Sequence, residues 1–139
     1  MDIGIIERQD GGVDIVRPAD GFTVQDNFDR MQATGIITDI SAVPSTRTFR
    51  NAWVMNQAGT GVMIDLQKAK NIAIDRVKEI VDKQLKAIRP AWEEAVDNND
   101  TILMNQIKSD RADIRNTLTN KINDINACTT AAEVESYLP

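Results

Sequence analysis

From Asp65 to Asn126 the chain reads as two long amphipathic helices joined by the polar run Asp97-Asn98-Asn99-Asp100. Asp65 is placed to cap the first helix. Behind it, Leu66, Ala69, Ala73, Val77, Ile80, Val81, Leu85, Ile88, Trp92 and Ala95 recur at helical spacing and draw one apolar stripe. Pro90 falls inside this pattern and is expected to kink the helix near Lys86 to Arg89, because it lacks the N–H of one backbone bond. The second helix is expected from Asp100, with Leu103, Ile107, Ile114, Leu118, Ile122 and Ile125 on one side. The step from Ile107 to Ile114 skips a turn and leaves Asp110 or Arg111 in the stripe, as a register device or a wet position. Asp82 and Lys86 are spaced to pair on the outer face.

The first 64 residues carry different signals. Ile3, Ile5 and Ile6 face Val13, Ile15 and Val16 across Gln9-Asp10-Gly11-Gly12, which predicts a β-hairpin with both glycines supplying positive φ. Pro18 stops the pairing. Phe22, Val24, Phe28 and Met31 lean helical, with Thr23 and Asp26 as a capping box and Gly35 as the terminator. Ile36, Ile37 and Ile40 suggest a strand, and Ser41 to Thr46 a loop. Trp53-Val54-Met55 and Val62-Met63-Ile64 read as a second hairpin around Asn56 to Gly61. At the other end, Thr130 with Glu133 predicts a short closing helix to about Tyr137. The expected architecture is therefore α+β. A small β-rich docking region over 1–64 precedes a long antiparallel helical hairpin and a short C-terminal helix over 65–139.

Composition narrows the chemistry. The chain contains no His and a single Cys, which removes the commonest general base, any intrachain disulfide and Cys-based zinc sites. Cys128 reads as a small buried hydrophobe. The net charge of −5, spread evenly without a basic run, argues against a nucleic-acid partner. No apolar run reaches the roughly 18 residues of a membrane span, and Met1-Asp2-Ile3-Gly4 lacks the pattern of a signal peptide. Synthesis in a reducing cytoplasm is expected.

Candidate sites are correspondingly thin. Glu93, Glu94, Asp97 and Asp100 form the densest carboxylate group, but the EF-hand spacing and its Gly are missing, so a polar hairpin turn is expected there and no metal. Gly59-Thr60-Gly61 with Lys68 lacks the spacing of a phosphate loop. Arg47 and Arg50 flank Phe49 beside Trp53, a grouping that could hold a planar or anionic ligand but is better explained as a structural joint. No catalytic set and no cofactor site emerges, so no enzyme is expected. The residues singled out for protein interaction are Phe49, Arg50 and Trp53, then Val77, Ile80, Leu85, Ile88 and Trp92, and finally Leu103, Ile107, Ile114, Leu118 and Ile122. The hairpin's stripe is wider than the small N-terminal region can cover, which points to a partner or to sister copies.

The chain also resembles a group of small tail-associated proteins from the structural gene clusters of tailed bacteriophages. The resemblance rests on Asp10-Gly11-Gly12-Val13-Asp14-Ile15-Val16-Arg17-Pro18, on Pro44 to Trp53 with its Phe-Arg-Asn-Ala-Trp core, and on Ile64-Asp65, Lys68-Ala69 and Asp75-Arg76. It departs from that outline by extending the second helix over Asp110 to Asn126 and by placing Asn98-Asn99 where the family turn has Gly. The resemblance implies a non-enzymatic virion protein of tail or tail fibre, made in the host bacterial cytoplasm. Its expected partners are other virion proteins and further copies of itself, with neither nucleic acid nor membrane involved. A fibre-assembly chaperone left out of the particle and a capsid decoration or head-fibre protein are the alternatives.

Overall fold

A computed structural model describes residues 1–139 and has the α+β architecture expected, with small antiparallel sheets followed by a helical hairpin. It divides into two compact units, Met1–Ala69 and Lys70–Pro139.

In the first unit, β1 (Asp2–Glu7) is the centre of a three-stranded antiparallel sheet, between β2 (Val13–Val16) and β3 (Ile36–Asp39). Ile5 pairs with Ile15 on one side and with Ile36 on the other. That register places Ile3, Ile5 and Val13 in a core with Trp53 and Val62, and all of these are buried. A second ribbon pairs β4 (Trp53–Met55) with β5 (Val62–Ile64). The intervening turn is closed by Asn56, whose side-chain oxygen accepts from the Thr60 N–H at 2.9 Å.

Helix α1 (Val24–Met31) buries Val24 and Phe28. Its capping box forms as expected: Thr23 Oγ1 accepts from the Asp26 N–H at 3.1 Å, and the Asp26 carboxylate accepts from the Thr23 N–H at 2.7 Å. The end differs from expectation. Gln32, not Gly35, takes the left-handed conformation, with φ of 52°. Gly35 has another reason to lack a side chain, since a Cβ there would strike the Ile5 carbonyl oxygen. Similarly, a Cβ on Gly4 would lie 2.6 Å from the Phe28 ring, so Gly4 opens the space in which α1 packs on β1. In the first hairpin only Gly11 has positive φ. A Cβ on Gly12 would meet only the Arg8 guanidinium and the Asp10 carboxylate, the movable ends of side chains. Arg8 is held there by Asp10 at 3.1 Å and Asp14 at 3.0 Å.

Helix α2 runs from Leu66 to Asp97, with Asp65 Oδ1 accepting from the Lys68 N–H at 2.8 Å at its start. It continues through Pro90, so the proline does not end it; the Lys86 carbonyl simply lacks its usual donor. At 1.5 Å per residue the helix is roughly 48 Å long. After the turn at Asn98-Asn99, Asp100 caps α3 (Thr101–Ala127) through the Leu103 N–H at 3.0 Å. The short α4 (Ala131–Glu135) starts at Thr130, whose hydroxyl accepts from the Glu133 N–H at 3.2 Å. The expected box is offset by one residue: the Glu133 carboxylate accepts from the Thr129 N–H, at 2.9 Å.

Candidate interaction surfaces

The Phe-Arg-Asn-Ala-Trp segment is a joint inside the first unit. Phe49 is 1% exposed, Ala52 is fully buried and Trp53 is 3% exposed. Arg50 turns inward, donates from Nη2 to the Val13 carbonyl at 3.0 Å, and stacks over Trp53 at 4.5 Å from the ring centroid. Burial pushes the Arg50 guanidinium below its ordinary value, and Arg8 adds repulsion. An arginine nevertheless stays charged, and the cation–π contact with Trp53 suits that charge. The Ala52 carbonyl accepts from the Asp65 N–H at 2.8 Å. The segment thus ties β2, β4 and the start of α2 together, and Phe49 and Trp53 are spent on the core.

Beside this joint, Arg17 and Arg47 stand at a cleft of about 440 Å³ whose walls include Ile15, Ile40, Val43 and Trp53. The Trp53 indole N–H is buried without a hydrogen-bond partner. Sequence spacing groups Arg47 with Arg50, and the two stay neighbours, with the Arg50 N–H donating to the Arg47 carbonyl at 3.0 Å, but their side chains have different partners. Arg50 is half-buried against Val13 and Trp53, and Arg47 shares its cleft with Arg17, which follows β2.

The second unit presents a different surface. Toward the base of the hairpin, Ala73, Val77, Ile125, Cys128 and Val134 are buried; toward the tip, Ala95 and Ile107 are. Between Val77 and Ala95 on α2, and between Ile107 and Ile125 on α3, no side chain is fully buried. Ile80, Val81, Leu85, Ile88, Trp92, Ile114, Leu118 and Ile122 all lie in this stretch and are half-buried, while Leu103 is exposed. The physical reason is geometric. A stripe wider than about 100° cannot be covered by one neighbouring helix. Two helices alone leave both flanks of their seam open, and bundles close those flanks with further helices.

The two flanks differ in chemistry. One groove, of about 280 Å³, is lined by Val77, Ile80, Val81, Ile114 and Leu118, with Gln84, Asp113, Thr117 and Lys121 around them. The other, of about 350 Å³, has Leu85 as its apolar residue and is otherwise lined by Asp82, Lys86, Arg89, Arg111 and Arg115. The polar gap expected at Asp110 and Arg111 is resolved by these neighbours. Arg111 lies 4.9 Å from the Trp92 centroid and Lys108 5.8 Å, so the gap is filled by a cation on an indole. Asp110 points to solvent and accepts from Gln106 Nε2 at 2.9 Å. No one-dimensional pattern announces this basic groove, because its members are drawn from two helices.

The remaining candidates are plain. Glu93, Glu94, Asp97 and Asp100 are exposed, and no group of three or more His, Cys, Asp or Glu side chains is placed to hold a metal ion. Cys128 is buried and its thiol donates to the Asp124 carbonyl at 3.3 Å. No helix is long and apolar enough to cross a membrane. Compared with known proteins, the chain matches no family, no curated protein and no solved structure.

Proposed function

We propose that this chain is a non-enzymatic structural protein of a tailed-bacteriophage virion, attached at the tail or its fibres, with the helical hairpin as its assembly surface. The observation that carries the assembly role is the open apolar groove that starts at buried Val77 and runs along half-buried Ile80, Val81, Ile114 and Leu118. Closing such a groove against a partner releases about 25 cal/mol per Å² of apolar surface. The bacteriophage context is supported by the Phe-Arg-Asn-Ala-Trp resemblance and its flanking segments.

The experiment is complementation of particle assembly, read by mass spectrometry of purified particles. With wild-type protein the chain is expected in the particle. Leu118→Asp is expected to remove it, because a carboxylate in a closed apolar groove has no compensating partner. Wild-type incorporation of this variant would show that the groove is not the docking face. Absence of the wild-type chain from finished particles would transfer the reading to an assembly chaperone.

A further inference from the structure

We propose that the basic groove of the hairpin docks the acidic hairpin tip of a second copy of this chain, in a twofold antiparallel pair. The inference deepens the assembly reading by naming one partner, and it concerns the flank opposite the apolar groove.

The groove is an anomaly in an acidic protein. Four cations, Lys86, Arg89, Arg111 and Arg115, converge on one concavity, although acidic groups outnumber basic ones in the chain. Their only carboxylate there is Asp82, which reaches Lys86 at 3.9 Å. Arg89, Arg111 and Arg115 engage no carboxylate. Like charges brought together without counter-ions repel one another. Arg111 is held in place by its stack on Trp92, which leaves the rim of its guanidinium free to form forked hydrogen bonds to a carboxylate.

The same chain carries the complement. Glu93, Glu94 and Asp97 are exposed and engage no cation. Lys86, Arg89, Glu93 and Asp97 follow at helical spacing, so they form one row on α2. The row is basic on one side of Pro90 and acidic on the other. A twofold axis beside Ala91 therefore sets Arg89 against Glu93 of the second copy and Lys86 against its Asp97. Each of these pairs occurs twice, as an isologous interface requires. Arg115 and Arg111 on α3 widen the basic half toward the second copy's tip. A nucleic-acid strand fits less well. The groove's basic residues on α3, Arg111 and Arg115, lie only about 6 Å apart along the helix. Beyond the groove, α2 presents Asp75 and Glu79 at one end and Glu93 and Asp97 at the other, where further phosphates would be repelled.

The test is the mass in solution of the full chain over a range of concentrations, between roughly 0.01 M and 1 M salt, across which the Debye length falls from about 30 Å to about 3 Å. A dimer is expected at low salt, with dissociation as salt rises. Arg89→Glu with Arg115→Glu is expected to weaken it at least about a hundredfold, and so is Glu93→Arg with Glu94→Arg. These side chains are exposed or line an open groove, and helical circular dichroism verifies that each variant folds. Mixing the two variants is expected to restore a dimer of one of each. A monomeric wild type, a wild-type dimer untouched by either double substitution, or a mixture that stays monomeric would overturn the proposal. Loss of the dimer in the arginine variant alone would also overturn it, since the groove would then be met by an acidic segment of the second copy other than its tip. None of these results bears on Leu118 and the apolar groove, so the two readings fail separately.

Discussion

The guanidinium carbon of Arg111 sits 4.9 Å from the centroid of the Trp92 ring, across the seam between α3 and α2. This places a charged residue in the apolar stripe of α3, at the turn where the stripe lacks a hydrocarbon side chain. The arginine stem packs along the seam and the planar head covers the indole, so the position is filled without burying an unpaired charge.

Removing either partner should therefore cost more than a surface substitution. Arg111→Ala is expected to lower stability by about 1 kcal/mol, from the lost cation–π contact and stem packing. Trp92→Ala should cost about 2 kcal/mol, since the half-buried ring loses part of its transfer energy. Urea denaturation of both single variants and the double variant measures the coupling, expected at about 0.5 to 1 kcal/mol. Strict additivity would show that the stack contributes nothing.

Gly35→Ala and Gly4→Ala should both destabilise the first unit, and in that order. At Gly35 the added methyl meets the Ile5 backbone, which belongs to the central strand and cannot yield cheaply. At Gly4 it meets the Phe28 ring at 2.6 Å, a side chain that can shift. Overpacking of this kind costs about 1 to 3 kcal/mol. Thermal or urea unfolding would read it, and a neutral Gly35→Ala would contradict the close approach of Gly35 to the β1 backbone.

Pro90→Ala should stabilise the hairpin. Pro90 is exposed and lies inside α2, so the substitution restores a donor to the Lys86 carbonyl and relieves the ring clash. The gain is expected to approach about 3 kcal/mol, the usual penalty of an interior helical proline. A midpoint in urea that fails to rise would mean that the helix has already accommodated the proline.

Acid should weaken the first unit through two named carboxylates. Asp26 is held below its ordinary value chiefly by the Thr23 N–H, and Asp10 by the Gly12 N–H and then Arg8. In the unfolded chain both titrate near 3.9. A group whose folded value is depressed contributes stability that is complete above the unfolded value and lost as pH falls through the folded one. Stability should thus begin to drop below about pH 4. Asp26→Asn and Asp10→Asn, followed by unfolding as a function of pH, should each flatten that limb. An unchanged acid limb in both variants would assign the sensitivity elsewhere.

Local signals were readable wherever one residue acts on its near neighbours. Thr23 with Asp26, Asp65, Asp100 and Thr130 all cap the helices that their spacing predicts, because a cap is made within three residues. The turn at Asn56 to Gly61 and the division into α and β parts were legible for the same reason. Gly35 and Gly4 carry no local signal of their role, since their need for a missing side chain is set by Ile5 and Phe28 arriving from elsewhere in the chain. Pro90 lies inside α2, where the sequence pattern places it, and the helix around it is long enough to carry one missing hydrogen bond.

The candidate surfaces divide in the same way. Helical periodicity by itself placed Ile80 and Leu85 on one stripe of α2 and Ile114 and Leu118 on one stripe of α3, because side-chain direction follows from 3.6 residues per turn. It could not determine how much of that stripe a two-helix pair leaves open, nor that Lys86 and Arg89 of α2 would meet Arg111 and Arg115 of α3 in one groove. Nor could it show that Phe49 and Trp53 would be consumed by the core while Arg47 joined Arg17 outside it. Those outcomes depend on which elements become neighbours. Sequence spacing governs contacts within a few turns of one helix or across one hairpin, whereas burial and charge clustering are set by the packing of separate elements.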